Sequence, residues 1–354
     1  MIIKKKINNE VHDIEFVSTK KIRSYLSKKI TDKDILVIDK NLIRNINIYP
    51  IYKKFSKRCF LINGNEKIKS LESFSILIEK ILRIGIQRES KLISIGGGTV
   101  GDLSGYIASS LLRGINHIMV PTSLLAMVDS SIGGKTGINS SYGKNLIGSF
   151  YLPKKVLICP DFLKSLPKRE LNCGFAEIIK YSFIRPGIFK NKLLNFKDIN
   201  QSNILEIIKI SISTKLKYVS DYREKSNLRK SRAILNFGHT IGHAIENSNS
   251  YNRSIKHGEA IAIGMLIELK ISQYLKYYKT SIEDELKLIK KFNLPSNYKD
   301  FLKPKKIEIL IKKMMFDKKI IGNYVNFILV DKSGGFVKKI SFKRLKSLLN
   351  KISK

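Results

Sequence analysis

Four short apolar runs recur in the first 160 residues: Ile35-Leu36-Val37-Ile38, Cys59-Phe60-Leu61-Ile62, Leu92-Ile93-Ser94-Ile95 and His117-Ile118-Met119-Val120. Each ends in polar, Gly or Pro punctuation, as strands buried on both faces do. Segments with helical spacing, such as Ser70 to Ile84, lie between them. Strand and helix in alternation predict a mostly parallel, doubly wound α/β sheet, whose ligands bind beyond the carboxyl ends of the strands. Beyond residue 160 helical periodicity takes over, in Glu170 to Phe183, Asn203 to Val219, Ala233 to Ser248 and Glu259 to Tyr278. A β-like segment, Tyr324 to Val330, then precedes a basic tail from Lys338 to Lys354. The expected organisation is an α/β domain over 1–160 and a mainly helical domain over 161–354, packed face to face with a cleft between them.

Apolar residues make up 43% of the 354 and charged residues 27%, ordinary globular usage that argues against disordered, collagen-like and coiled-coil chains. No apolar stretch approaches the roughly 18 residues of a membrane span. Met1-Ile2-Ile3-Lys4-Lys5-Lys6 runs into polar Asn8, Asn9 and Glu10 rather than into the apolar core of a secretory signal. A soluble, cytoplasmic protein is expected, with no membrane partner. Cys59, Cys159 and Cys173 are too few, too far apart and odd in number for a disulfide framework, so all three are expected reduced. The 66 Lys and Arg against 29 Asp and Glu give a net charge of +37. Such a charge invites a nucleic-acid partner. The lysines are nevertheless scattered from Lys4 to Lys354 among abundant Ile and Asn, the pattern of a solvated surface and a global codon bias, so no nucleic acid is expected. A positive surface still draws in anionic metabolites.

Strand Leu92 to Ile95 runs directly into Gly96-Gly97-Gly98-Thr99-Val100-Gly101-Asp102 and then a helix through Tyr106-Ile107-Ala108. Gly96, Gly98 and Gly101 satisfy G-x-G-x-x-G in the strand-to-helix context that the motif requires. Glycines allow close approach to a phosphate, and the helix amino terminus adds N–H donors and partial positive charge. No ribose-binding acid lies about 20 residues downstream, but Asp39-Lys40-Asn41 closes an earlier strand and would hold the adenosine end of a dinucleotide. Gly133-Gly134-Lys135-Thr136 is not a P-loop, because Asp129 stands where that motif needs its first glycine. Lys135 and Lys144 in this Gly-rich loop suit a phosphate or carboxylate.

Of five histidines, His239, His243 and His257 fall within 19 residues. A spacing of four puts His239 and His243 on one helical face, and His257 opens the next element. This is metal-ligand spacing, and a catalytic Zn(II) takes three protein ligands and keeps one position open. Glu177, in the helical run Gly174 to Lys180, is a carboxylate in an apolar setting that needs a partner, which a cation would supply. Spacing alone leaves open which two histidines bind metal.

Together these segments resemble the 3-dehydroquinate synthase family over nearly the whole chain. The likeness rests on Asp39 to Asn41, Gly96 to Asp102, Val120-Pro121-Thr122, Asp129 to Thr136, Gly143-Lys144-Asn145, Glu177 to Tyr181, Asn236 to Glu246 and His257-Gly258-Glu259. It implies a homodimer whose subunits each carry a Rossmann-like amino-terminal domain and a helical carboxy-terminal domain, with NAD and a divalent metal, Zn(II) or Co(II). The implied substrate is a small sugar phosphate, 3-deoxy-D-arabino-heptulosonate 7-phosphate. Transient oxidation by NAD acidifies a neighbouring C–H, phosphate leaves by β-elimination, the hydride returns, and an intramolecular aldol step closes the ring of 3-dehydroquinate. The cofactor is then catalytic, with no net redox change.

By the same resemblance Glu177, His239 and His257 are the metal ligands and His243 serves proton transfer, a role that suits an imidazole titrating near neutrality. Substrate contacts are implied for Arg113, Asp129, Lys135, Lys144, Asn145, Arg232, Asn236 and one of Lys318 and Lys319. The family's remaining substrate lysine falls on Lys215, with Lys217 as the alternative because extra residues intervene in Tyr222 to Ser231. Cofactor contacts are implied for Asp39, Asn41, Glu66, Lys69, Gly97, Gly98, Asp102, Thr122, Ser123, Lys135, Lys144 and Ser165. Cys173 stands where some members carry Asn. Arg232 with Asn236 and Lys135 favours the dehydroquinate reaction over those of cyclases such as 2-deoxy-scyllo-inosose synthase.

Overall fold

A computed structural model describes residues 1–196, 201–219, 229, 231–248, 255–315, 320–321 and 323–353. It divides into two compact units, Met1–Leu171 and the described residues from Asn172 onward. The division falls inside a continuous helix, beyond the position 160 at which the sequence texture changes.

The first unit runs β1 (Ile2–Ile7), β2 (Glu10–Phe16), α1 (Thr19–Lys29), β3 (Ile35–Asp39), α2 (Tyr49–Lys54), β4 (Cys59–Ile62), α3 (Leu71–Arg83), β5 (Lys91–Gly96), α4 (Gly98–Ser110), β6 (Asn116–Pro121), β7 (Lys135–Ser140), β8 (Gly143–Phe150) and β9 (Lys155–Ile158). All four apolar runs are strands. Ile35 to Ile38 are fully buried, as expected of a strand covered on both faces. Helix α3 starts where Ser70 caps it, its hydroxyl accepting from the Ser73 amide at 3.1 Å, and it buries Leu77 and Ile81.

The sheet order is β1-β2-β9-β6-β5-β3-β4, parallel throughout except for β1, which pairs antiparallel with β2. From β3 the chain steps outward to β4, returns to β5 on the opposite side of β3, and continues outward to β6. The winding therefore reverses between β3 and β5, and the carboxyl ends of those two strands form the switch point where such sheets bind ligands. Asp39 ends β3 and Gly96 ends β5.

The Gly-rich segment around Lys135 and Lys144 is a β-hairpin, β7–β8, and not a loop. Gly137 faces Gly148 across it, and a Cβ on Gly148 would lie 2.2 Å from the Thr136 carbonyl. The glycines serve close backbone approach, which the sequence pattern could not distinguish from a turn.

The second unit holds α5 (Lys168–Ile184), of which the first four residues belong to the other unit, then α6 (Ile188–Asn195), α7 (Gln201–Tyr218), α8 (His239–Glu246), α9 (His257–Tyr274), α10 (Glu283–Lys291), α11 (Pro304–Met315), β10 (Ile320–Ile321), β11 (Tyr324–Asp331), β12 (Gly334–Ser341) and α12 (Phe342–Ile352). Helix α9 is buried almost all round, the mark of a central helix. The helical pattern over Ala233 to Ser248 is broken: a 3-10 turn, Arg232–Asn236, gives way to α8 across Gly238, whose φ of 77° is left-handed. Glu259 to Tyr278 begins two residues earlier than its pattern and ends at Tyr274, after which Lys276 turns left-handed with φ 63°.

The basic stretch from Lys338 is no loose tail. It completes β12 and forms α12, whose Leu345, Leu348 and Leu349 join Phe327 and Leu329 of β11 in the core of this unit. Its lysines occupy the outer face of an amphipathic helix, which the charge count concealed. Among the described residues no helix is long and apolar enough to cross a membrane. Leu345→Ala is expected to lower the unfolding free energy of this unit by about 2–5 kcal/mol in urea titrations; a loss below about 0.5 kcal/mol would show that α12 is not part of the core.

Candidate functional site

Three helices of the second unit meet through glycines. Gly258, second residue of α9, lies so close to α5 that a Cβ would stand 2.4 Å from the Cys173 carbonyl. Gly264, farther along α9, leaves only 2.0 Å between a built Cβ and the Gly238 carbonyl at the start of α8. The amino end of α9 is fixed by Glu259, whose Oε2 accepts from the Lys256 amide at 3.0 Å. One polar side chain from each helix thereby reaches a common point: Glu177 from the buried middle of α5, His239 from the first position of α8, and His257 from the first position of α9.

Glu177 is fully buried. The Lys180 ammonium, one turn along α5, lies against its Oε2. Its Oε1 accepts no hydrogen bond among the described residues, and His239 Nε2 and His257 Nε2 face it at 3.5 Å and 3.6 Å. The donor atoms of these three residues lie within 4.8 Å of one another. Both imidazoles have Nδ1 engaged elsewhere, His239 on the Phe237 carbonyl at 3.1 Å and His257 on Glu246 Oε2 at 3.0 Å. An Nδ1–H that donates to a carbonyl or carboxylate leaves the Nε2 lone pair for a cation, the outer-shell arrangement usual for metal-binding histidines. A buried carboxylate with an unused oxygen and two oriented imidazole nitrogens fits a divalent cation that prefers mixed N and O donors.

His243 stands one turn beyond His239, with ring centroids 5.2 Å apart, and 5.9 Å from the His257 ring. It lies outside the group formed with Glu177 and belongs to a second one, with Glu246 and His257. Burial depresses the His257 imidazole, but the carboxylates of Glu177 and Glu246 outweigh it and push it up to about 10. Without a cation the centre therefore holds a proton on His257. Glu246, which orients His257, was not singled out by spacing, although it lies three residues past His243. Elsewhere in this unit Lys215 and Arg232 are buried, Lys217 is exposed on the other face of α7, and Asn236 is half-buried at the end of the 3-10 turn. Lys318 and Lys319, and most of Tyr222 to Ser231, lie outside the described residues.

In the first unit the switch point carries a separate polar cluster. Gly97 is the N-cap of α4, and no side chain caps its first-turn N–H groups. At Gly98 a Cβ would come within 2.8 Å of the Ser130 hydroxyl. Asp39 accepts from the Asn41 amide at 3.0 Å, and its carboxylate packs over Gly64, where a Cβ would lie 2.0 Å from it and displace it. Lys69 is buried and joins Asp102 at 2.7 Å and the Asn145 side chain. Asn139 Nδ2 donates to Glu66 Oε1 at 2.8 Å, and Asn139 Oδ1 accepts from the Asn145 amide at 2.9 Å. Burial pushes the Asp102 carboxyl above the usual range, against the pull of Lys69. The structure thus links Glu66, Lys69, Asp102 and Asn145 through Asn139, a residue no sequence motif marks.

Other expected contacts are dispersed along this unit. Thr122 and Ser123 follow β6, and Ser123 Oγ caps the Ala126 amide at 3.3 Å. Ser165 spends its hydroxyl on the Phe162 carbonyl at 3.1 Å. Arg113 is exposed in a left-handed turn with φ 65°, and Asp129 lies in a π-helical turn, Ala126–Ser130. Lys135 and Lys144 occupy opposite ends of the hairpin.

Comparison with known proteins places this arrangement. Residues 59–173 match the family described as 3-dehydroquinate synthase N-terminal, and residues 174–320 match 3-dehydroquinate synthase C-terminal. The 3-dehydroquinate synthase of Prochlorococcus marinus strain MIT 9312 is 43% identical over 292 residues, 79% of this chain and 77% of that protein. That of strain NATL1A is 37% identical over 358 residues, 98% of this chain and 92% of its own length. Among solved structures, 2-deoxy-scyllo-inosose synthase complexed with carbaglucose-6-phosphate, NAD+ and Co2+ superposes with a TM-score of 0.79 at 24% identity, covering 99% of this chain and 100% of that one. ValA (2-epi-5-epi-valiolone synthase) from Streptomyces hygroscopicus subsp. jinggangensis 5008, with NAD+ and Zn2+ bound, gives 0.80 at 19% identity over 97% of this chain and 96% of its own. Those two share the fold, and the sequence relationship is decided by the closer matches: the chain belongs to the 3-dehydroquinate synthase family.

Proposed function

We propose that this chain converts 3-deoxy-D-arabino-heptulosonate 7-phosphate to 3-dehydroquinate and phosphate. The observation that carries the reading is the convergence of Glu177, His239 and His257 on one point with His243 beside them and outside the group. Relatives at 37–44% identity bear the name of that activity, and solved neighbours hold NAD+ with Co2+ or Zn2+. When bound, NAD supplies a reversible hydride acceptor and the cation a Lewis acid for the substrate hydroxyls. Glu177, His239 and His257 hold the cation, and Glu246 keeps Nε2 of His257 turned toward it. His243 moves the proton of the hydroxyl being oxidised. Lys69, Asp102 and Asn145, with the α4 amino terminus, hold the dinucleotide. Arg232, Lys215 and the lysines of the β7–β8 hairpin anchor the anionic ends of the substrate. The same reading takes the working enzyme as a cytoplasmic homodimer that acts on a small sugar phosphate and on neither nucleic acid nor membrane.

Phosphate release separates the candidate substrates. Release from the heptulosonate phosphate, with none from glucose 6-phosphate or sedoheptulose 7-phosphate, is expected. Activity confined to the latter two would assign the chain to another cyclase reaction, and stoichiometric accumulation of NADH would assign it to the dehydrogenases. A strong chelator should abolish turnover, and Zn(II) or Co(II) should restore it. His257→Ala is expected to lose bound metal, whereas His243→Ala keeps metal and loses roughly 10²- to 10⁴-fold in kcat; equal metal loss in both would refute this division of roles. Because His257 is protonated up to about pH 10 in the cation-free protein, metal binding at pH 7 should expel about one proton. Calorimetry in two buffers of different ionisation heat reads that proton. Affinity should rise with pH through the neutral range, and a pH-independent affinity would contradict the assignment of His257.

A further inference from the structure

We propose that Glu268 is a positioning residue for His239. It rests on the reading of Glu177, His239 and His257 as a cation centre, and no part of that reading assigns Glu268 a role. Glu268 lies in the middle of α9 with no exposed surface. A carboxylate there is costly unless it makes strong hydrogen bonds. Its Oε2 accepts from the backbone amide of Gly238 at 2.7 Å, in a fully buried contact.

Gly238 is the residue on which the position of His239 turns. It is the N-cap of α8, and its left-handed φ of 77° lets the 3-10 turn before it change direction into the helix. An amide at a helix amino terminus is the partner that best stabilises a buried negative charge, since the helix dipole adds to the hydrogen bond. One turn before Glu268 on α9, Gly264 receives the carbonyl of the same residue, with no space for a Cβ. Helix α9 therefore bonds the N–H of Gly238 and packs closely against its C=O, which accepts from the Gly242 amide of α8 at 2.9 Å. The His239 ring is tied to this turn as well, through Nδ1 on the Phe237 carbonyl at 3.1 Å. Displacement of the turn would move the Nδ1 anchor and, with it, the Nε2 that faces Glu177. A side chain that only filled space would have no reason to place a polar oxygen at this point, whereas one that fixes a left-handed turn needs an acceptor aimed at a single N–H.

The test uses the full chain and three readouts. Wild type should bind one Co(II) with a d–d spectrum of defined intensity. Glu268→Leu should weaken Co(II) binding roughly 10- to 100-fold, alter the d–d bands, and speed hydrogen exchange at the Gly238 to Thr240 amides of the metal-free protein. Glu268→Gln keeps an acceptor oxygen of the same reach and should restore all three toward wild type. If Glu268→Leu fails to fold, Glu268→Asp, which withdraws the carboxylate by one methylene, carries the same expectation. Unchanged Co(II) affinity, spectrum and Gly238 exchange, with only a lower unfolding midpoint, would reduce Glu268 to a packing residue and overturn the proposal. Failure of the cation reading looks different: wild type would bind no Co(II), or His239→Ala would bind it unchanged. The exchange rates of metal-free protein would still decide the role of Glu268.

Discussion

A single buried carboxylate organises the helical unit. Glu177 has no surface to spread its charge into, so everything within reach must compensate it. Lys180 takes one oxygen from the same helix, and the other faces two imidazole nitrogens brought in by α8 and α9. Such an arrangement is poor as pure architecture, because an apolar side chain in that position would stabilise the core at least as well. It is good as a receptor for a positive ion.

The helices that deliver those side chains come closer than side chains normally permit. Gly238, Gly242, Gly258 and Gly264 each occupy a place where a Cβ would strike a neighbouring backbone or side chain. Close approach fixes the helices relative to one another, and with them the backbone positions of His239 and His257. Hydrogen bonds to Nδ1 of both rings remove the remaining rotational freedom. Helix α9 contributes twice, through its first residue, whose Nε2 faces Glu177, and through Glu268 in its buried middle, which accepts from the Gly238 amide.

The α/β unit follows a different rule. Asp39 and Gly96 end the strands between which the winding of the sheet reverses, and its polar cluster joins residues that follow β4, Glu66 and Lys69, to Asp102 of α4 and to Asn139 and Asn145 of the β7–β8 hairpin. Lys69, though buried, is balanced by Asp102 and by the Asn145 side chain. The start of α4 carries no side-chain cap, and a helix amino terminus offers N–H donors whatever the overall charge, so the +37 net charge says little about this part of the molecule.

By itself the sequence determined the parallel sheet, the glycine turn into α4 and the histidine spacing, because each is a local pattern whose period or residue type is read directly from neighbours in the chain. It missed the β7–β8 hairpin, read the amphipathic α12 as a tail, and ran a helix through Gly238, because cross-strand register, burial of one helix face and a left-handed turn depend on what packs against them. Spacing left open which two imidazoles face Glu177, since four residues put two of them on one face without saying which the other helices meet; the family resemblance named His239 and His257, and the tertiary structure turns those two, and not His243, toward Glu177. It alone also brought in Asn139, Glu246 and Glu268. These residues act through partners 6, 11 and 30 positions away, and at those separations the folded backbone, not the sequence, sets the distance.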